Sequence, residues 1–142
     1  MILKELFREH LDTFTLTKHA RIHDAAALMQ REKIGAVVIV EERRVIGIIT
    51  DRDIALCVSL GAATPDSLVG EVMSKTVETV NESMTLLDLT RFLRKVRVKR
   101  IPVVDDDDHL VGIVSTDDIL GLLARQLFDT CSTLEPKIGH MV

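Results

Sequence analysis

The stretch GIITDRDI at residues 47–54 returns as GIVSTDDI at residues 112–119, displaced by 65 positions. Laid over one another without a gap, residues 33–54 and 98–119 match Val38 with Val103, Gly47 with Gly112, Ile48 with Ile113, Asp53 with Asp118 and Ile54 with Ile119. With a one-residue insertion upstream, HDAAALMQREKIGAVVIV (23–40) also lines up with LLDLTRFLRKVRVKRIPVV (86–104). A tandem repeat of this kind restricts the chain to two like units packed on each other, because one copy alone cannot bury its own apolar face.

Each copy changes its hydrophobic period in the same order. Ala25, Leu28 and Met29, like Leu86, Leu89, Phe92, Leu93 and Val96, recur at three and four residues, the spacing of a helix with one buried face. AVVIV (36–40) and IPVV (101–104) are short β-branched runs suited to strands covered on both faces. EERR (41–44) and DDDDH (105–109) then read as hairpin turns, and VIGIIT (45–50) and LVGIVS (110–115) as return strands. A second helix follows in each copy, over 51–60 and over 116–128, and short opening strands are expected at TFTL (13–16) and TVETV (76–80), the latter followed by helix-capping residues in NES (81–83).

The expected fold is therefore α+β: two βαββα repeats related by a pseudo-twofold axis, their sheets packed together, with a cleft between repeats. The boundaries read as 8–61 for the first repeat, 62–70 for a Gly/Pro-containing linker, 71–128 for the second repeat and 129–142 for a fraying tail. The opening MILKELFREHL reads as a short amphipathic helix rather than a signal peptide.

Composition supports an aliphatic core and narrows the function. Apolar residues are 46% of 142, yet Trp and Tyr are absent and Phe occurs four times, so Val, Ile, Leu, Ala and Met must fill the interior. A net charge of −4 opposes sequence-independent nucleic-acid binding, which relies on cations neutralising phosphates. No apolar run approaches the ~18 residues of a membrane span. Cys57 and Cys131 form no C-x-x-C, so neither a disulfide framework nor a zinc knuckle is indicated and a cytoplasmic protein is expected. No Ser or Cys has a His in a context that would activate it, which points away from an enzyme. His19 and His23, four apart, lack a third metal ligand, and DDDD (105–108) reads as a solvated turn because its counterpart EERR carries both signs.

The repeated motif has two readings. Thr50 with Asp53, and Ser115 with Asp118, stand at strand-to-helix junctions as capping boxes would, although the preferred acid there is the longer Glu. Gly47 and Gly112 lie inside β-branched strands, where Gly marks a close approach by backbone or ligand. Each junction also offers a hydroxyl, free helix N–H groups and a carboxylate one turn away. Hydroxyl and N–H suit a phosphate, and a carboxylate suits the paired hydroxyls of a ribose. A nucleoside phosphate fits that set, whereas a bare anion would be repelled by Asp51, Asp53, Asp117 and Asp118.

The doubled G-h-h-[T/S]-x-x-D motif, with RIPVVD (100–105) and VGEVM (69–73), resembles a pair of cystathionine-β-synthase (CBS) domains, the Bateman module, over residues 10–125. The resemblance implies a stand-alone regulatory module that binds an adenosine derivative such as AMP, ADP, ATP or S-adenosylmethionine in the inter-repeat cleft and requires no cofactor. It implies that Asp53 and Asp118 hold ribose hydroxyls while Thr50 and Ser115 face the phosphate. It also implies a base among Thr15, Ile34, Gly35 and Ala36, or Thr79, Val80, Lys99 and Ile101, with Arg100 and then Arg52 as phosphate partners. The same family implies a homodimer, using apolar residues such as Leu56, Val58, Leu120 and Leu123, and a separate protein that reads the signal. The opposing expectation is an interaction scaffold in which both motifs are helix caps alone.

Overall fold

The computed structural model describes residues 2–4, 14–96 and 98–139, with 134–139 as backbone alone. Most of the expected N-terminal helix, and Thr13 of the first expected strand, lie outside these residues.

The first repeat runs β1 (Thr15–Leu16), α1 (Ile22–Glu32), β2 (Ala36–Glu41), β3 (Arg44–Thr50) and α2 (Asp51–Ser59). A short helix, α3 (Val69–Val72), precedes the second repeat, which runs β4 (Val80–Asn81), α4 (Leu86–Val96), β5 (Arg100–Val104), β6 (Leu110–Ser115) and α5 (Thr116–Gly139). Each repeat forms a three-stranded sheet, β1-β2-β3 or β4-β5-β6, with a parallel first pair and an antiparallel second pair. The expected order of elements holds in both copies, and the structure is α+β with the two repeats packed together.

Several local expectations change. The opening strands are only two residues long, so 76–79 is irregular and Thr79 precedes β4. The segment NES does not cap α4: Asn81 Oδ1 accepts from the N–H and hydroxyl of Ser83 to make a local turn, and Thr85 Oγ1 accepts from Asp88 N as the helix cap. Helix α5 continues past Phe128 to Gly139. Thr130, Ser132 and Thr133 donate their hydroxyls to carbonyls four residues back, which satisfies these polar side chains on the helix.

Both return strands carry the same irregularity. Ile39 pairs with Gly47 and Val40 with Val45, leaving Ile46 as the extra residue of a β-bulge; Val103 with Gly112 and Val104 with Leu110 leave Val111 likewise. The turn of the first hairpin places Glu42 and Arg43 at φ 51 and 68, the left-handed pair of a two-residue connection. In the second hairpin Asp105 Oδ1 accepts from Asp107 N and His109 N at 2.9 Å each. The His109 N–H is the main reason the Asp105 carboxyl sits below its ordinary value of 3.8; burial pushes the other way, and the Asp107 N–H and the charges of His109 and Arg43 add to the lowering.

Each repeat has its own aliphatic core, and each core is completed by the segment that precedes the other repeat. Val69, fully buried, packs with Ile22, Ala25, Val37, Ile39 and Ile49, and Val72 and Met73 flank them. Val69 N donates to Ala20 O at 2.8 Å and Gly70 N to Lys18 O at 3.0 Å. Reciprocally, Leu3 is fully buried among Val80, Leu89, Ile101, Val103 and Val114, with its N–H on Met84 O at 2.6 Å. The stretch read as a linker is thus laid along the first repeat, where Ile22 N and His23 N donate to Ser67 O and Pro65 O.

Gly47 is the position that lets the exchanged segment through. Ser74 bonds both ways with Ile48 (2.9 and 3.0 Å), and a Cβ on Gly47 would overlap the Met73 side chain and lie 3.0 Å from Ser74 O. The close approach expected at this glycine is made by the protein's own chain. Met73 can swing aside but the Ser74 carbonyl cannot, so Gly47→Ala should destabilise by about 1–3 kcal/mol, the usual cost of overpacking. Urea denaturation should show a lower midpoint, and an unchanged one would refute the close-approach role. The Asp105 shift has a definite sign as well. A folded-state pKa below the unfolded one stabilises the hairpin above about pH 4 and loses that contribution as pH falls through the folded value. An NMR titration should find the Asp105 carboxyl ionising at lower pH than in a peptide, and equal values would remove this role.

Candidate ligand-binding cleft

Both motif copies end a β strand and begin a helix, and both are closed capping boxes. Thr50 N donates to Asp53 Oδ2 at 3.0 Å while Asp53 N donates to Thr50 Oγ1 at 3.1 Å. Ser115 N donates to Asp118 Oδ2 at 3.0 Å and Asp118 N to Ser115 Oγ at 3.1 Å. Asp therefore reaches the cap N–H as well as a Glu would, contrary to the reach argument made from sequence. The box uses one carboxylate oxygen, and Oδ1 of each Asp has no hydrogen bond among the described residues.

The free N–H groups expected at the start of α2 are occupied. Asp51 N donates to Gly35 O at 3.0 Å, Arg52 N to Asp51 Oδ1 at 2.8 Å, and Asp53 N to Thr50 Oγ1. In α5, Thr116 N donates to Lys99 O at 2.9 Å. An anion approaching the α2 terminus would first have to displace the Asp51 carboxylate, so any phosphate placed there would have to be met by side chains.

Those side chains come from the other repeat. A cavity of about 640 Å³ opens between repeats, lined at one wall by Gly35, Ala36, Ile48, Thr50, Asp51, Arg52 and Asp53 and at the other by Val98, Lys99, Arg100 and Pro102, with Ser74, Thr76, Val77 and Glu78 closing it. A second cavity, of about 410 Å³, is lined by Phe14, Glu32, Ile34, Ala36, Arg100, Ile113, Ser115 and Asp118. Both fall within the size range of small-ligand sites.

Of the residues singled out from sequence, Thr50, Asp53, Arg52, Gly35, Ala36, Lys99 and Arg100 meet in the larger cavity, and Ser115, Asp118, Ile34, Ala36 and Arg100 in the smaller. Ile101 and Val80 go elsewhere: both are buried in the second core, on strands whose inward faces pack with Leu89 and Val114. Thr15, on β1, and Thr79 are half-buried and line neither cavity. The sequence does not single out Ser74, Glu32 or the residues 76–78, which it assigns to an opening strand and which are irregular. Phe14 falls within the opening stretch TFTL, and Glu32 is the last residue of α1, three beyond its last apolar residue Met29, where helix periodicity carries no signal.

The apolar residues expected to form a homodimer face differ in their exposure. Leu56, Leu120 and Leu123 are exposed, as are Leu60, Leu127 and Phe128, but Val58 packs against the first core. Among the described residues one group has metal-ligand spacing, Asp105 with Asp107 and His109, but the Asp105 carboxylate is already an acceptor for two turn N–H groups. No helix of the described residues is long and apolar enough to cross a membrane.

Comparison with known proteins agrees with this architecture. The CBS-domain family model matches twice, at residues 4–59 and 69–125. The CBS domain-containing protein YhcV of Bacillus subtilis is 35% identical over 105 residues, 74% of either chain. The CBS-domain containing protein ATU1752 from Agrobacterium tumefaciens superposes with a TM-score of 0.73 at 31% identity, covering 85% of this chain and 98% of that one. The CBS domain pair of protein MJ0100, solved in complex with 5′-methylthioadenosine and S-adenosyl-L-methionine, superposes with a TM-score of 0.74 at 27% identity, covering 89% of this chain and 98% of that one. Two family matches, each spanning one of the observed repeats, establish that this chain belongs to the CBS-domain family and carries the domain as a tandem pair.

Proposed function

We propose that the protein is a non-catalytic regulatory module that senses a phosphate-bearing adenosine nucleotide in the larger inter-repeat cavity. The observation that carries this reading is the convergence of Thr50, Asp53, Lys99 and Arg100 on one cavity that also has the apolar wall of Ala36, Ile48 and Pro102. Asp53 Oδ1, left over from the cap, accepts the ribose hydroxyls. Lys99 and Arg100 take the phosphate, the guanidinium by two parallel bonds; Arg52 assists from the rim. The base lies along Gly35 and Ala36. The adenosine ligands of the MJ0100 domain pair, a relative of the same architecture, support the choice of nucleoside.

Because the cavity has one wall from each repeat, a ligand that prefers one spacing of the walls shifts the population of inter-repeat arrangements by its differential affinity. A homodimer formed through the exposed faces of α2 (Leu56, Leu60) and α5 (Leu120, Leu123) would carry that shift to a regulated protein. The unpaired Cys57 and Cys131 fit a reducing, cytoplasmic setting.

The scaffold reading keeps one observation in its favour: both motifs are complete caps without any ligand. Thermal melting with AMP, ADP, ATP and S-adenosylmethionine separates the two. A nucleotide at 100 times its dissociation constant should stabilise by about 2.7 kcal/mol. Asp53→Asn preserves an acceptor for the cap but loses the charge offered to ribose, so it should weaken binding by about 10–100-fold with little change in the unliganded melting temperature. If no adenosine ligand raises the melting temperature, the module is a scaffold and the sensing role is lost; if Asp53→Asn leaves the shift intact, Asp53 does not hold the ribose and the site as drawn fails.

A further inference from the structure

We infer that the two cavities sort adenosine ligands by charge, and that Arg100, which lines both, is the residue that couples them. The inference rests on the nucleotide-binding reading above and adds to it a ligand class for each cavity and a rule for their joint occupancy.

The asymmetry begins in the repeat itself. At the offset of 65 that aligns the two motifs, Lys99 and Arg100 of the second copy stand where the first copy has Ile34 and Gly35. Each pair leads into the middle strand of its sheet, so the second repeat presents two cations at an edge where the first presents an aliphatic side chain and none at all. The larger cavity consequently holds Arg52, Lys99 and Arg100 beside Asp51, Asp53 and Glu78. The smaller holds Asp118 and Glu32 with Arg100 as the one cation of its lining, the Glu32 carboxylate being already paired with Arg31 Nε at 2.9 Å, together with Phe14, Ile34, Ala36 and Ile113.

Arg100 is half-buried and makes no ion pair or side-chain hydrogen bond among the described residues, so its guanidinium is uncommitted. It is also the first residue of β5, paired with Ser115, which fixes its backbone while leaving the side chain to choose a cavity. A phosphate in the larger cavity draws it there. The smaller cavity then keeps the uncompensated Asp118 carboxylate beside the Arg31–Glu32 ion pair, with no cation left in its own lining: it repels a second phosphate and still accepts a neutral nucleoside, whose ribose hydroxyls suit Asp118 and whose base suits Phe14 and Ile34. The chain thus takes one anionic nucleotide and one uncharged nucleoside, rather than two equivalent nucleotides.

Isothermal titration of the full chain tests this, with AMP and adenosine as probes and melting curves as the check on folding. Wild type should bind one equivalent of AMP, with any second equivalent at least about 10-fold weaker, the scale of a lost charge-assisted hydrogen bond. With AMP saturating, adenosine should still bind, and Asp118→Asn should abolish that second event. Arg100→Gln should weaken AMP by about 10–100-fold and leave adenosine within about 3-fold. Glu32→Lys, at the half-buried last residue of α1, frees Arg31 of its partner and adds a cation to the lining, so it should strengthen the second AMP by about 10-fold. Two AMP equivalents of equal affinity in wild type, or an equal loss of AMP and adenosine in Arg100→Gln, would overturn the sorting while leaving nucleotide binding intact. Failure of wild type to bind either probe would instead overturn the nucleotide reading on which the sorting stands.

Discussion

The burial of Val69 in the first core and of Leu3 in the second is the interaction on which the rest of the molecule depends. Each repeat has a sheet and two helices, but its core is closed by a residue that precedes the other repeat. Removing a fully buried aliphatic side chain costs a few kcal/mol, so neither repeat is complete without the segment lent by its neighbour. The exchange also dictates geometry. To reach β4, the chain must leave the first core through Met73 and Ser74, bond to the edge of β3 at Ile48, and run past Gly47. Ser74 to Glu78 then becomes the closing side of the larger cavity.

At the strand-to-helix junctions, the atoms that cap the helices are the same ones that the proposed site uses. A capping box needs a hydroxyl at the cap and an acid three residues on, and a ribose-phosphate site needs a hydroxyl and an acid on the same side of a turn. Thr50 with Asp53, and Ser115 with Asp118, meet the first requirement in full and leave one carboxylate oxygen of each Asp for the second. The occupied N–H groups at the head of α2 redirect attention from the helix terminus to Lys99 and Arg100, which reach the site from the opposite repeat. Charge is thus delivered across the cleft, and a ligand that uses it must span both repeats.

Much of this was readable in advance, for identifiable reasons. The 3.6-residue spacing located α1 and α4, and the β-branched runs located β2, β3, β5 and β6, because each of those elements buries one face or both. Elements with little burial of their own left weaker traces. The two-residue strands β1 and β4 are defined by a parallel neighbour rather than by their own pattern, and TVETV alternates well enough to overstate the second. Helix α5 outruns its apolar period, and along the extension its Thr and Ser hydroxyls bond back to the helix carbonyls, which a hydropathy pattern does not register. Val58 looked like a surface residue beside Leu56, yet the turn of α2 aims it at the core.

By itself the sequence determined the tandem repeat, the order of elements within it and the caps at the two repeated motifs. These are local matters, settled by residue spacing along a helix or strand. Only the tertiary structure decided that Val69 and Leu3 change partners, that Gly47 makes way for Ser74, that Ile101 and Val80 face a core while their neighbours face a cavity, and that Arg100 borders two cavities where Gly35 offers no side chain. Each depends on which surfaces meet when two similar but unequal repeats are packed together, and contact between residues far apart along the chain is not written in the period of either one.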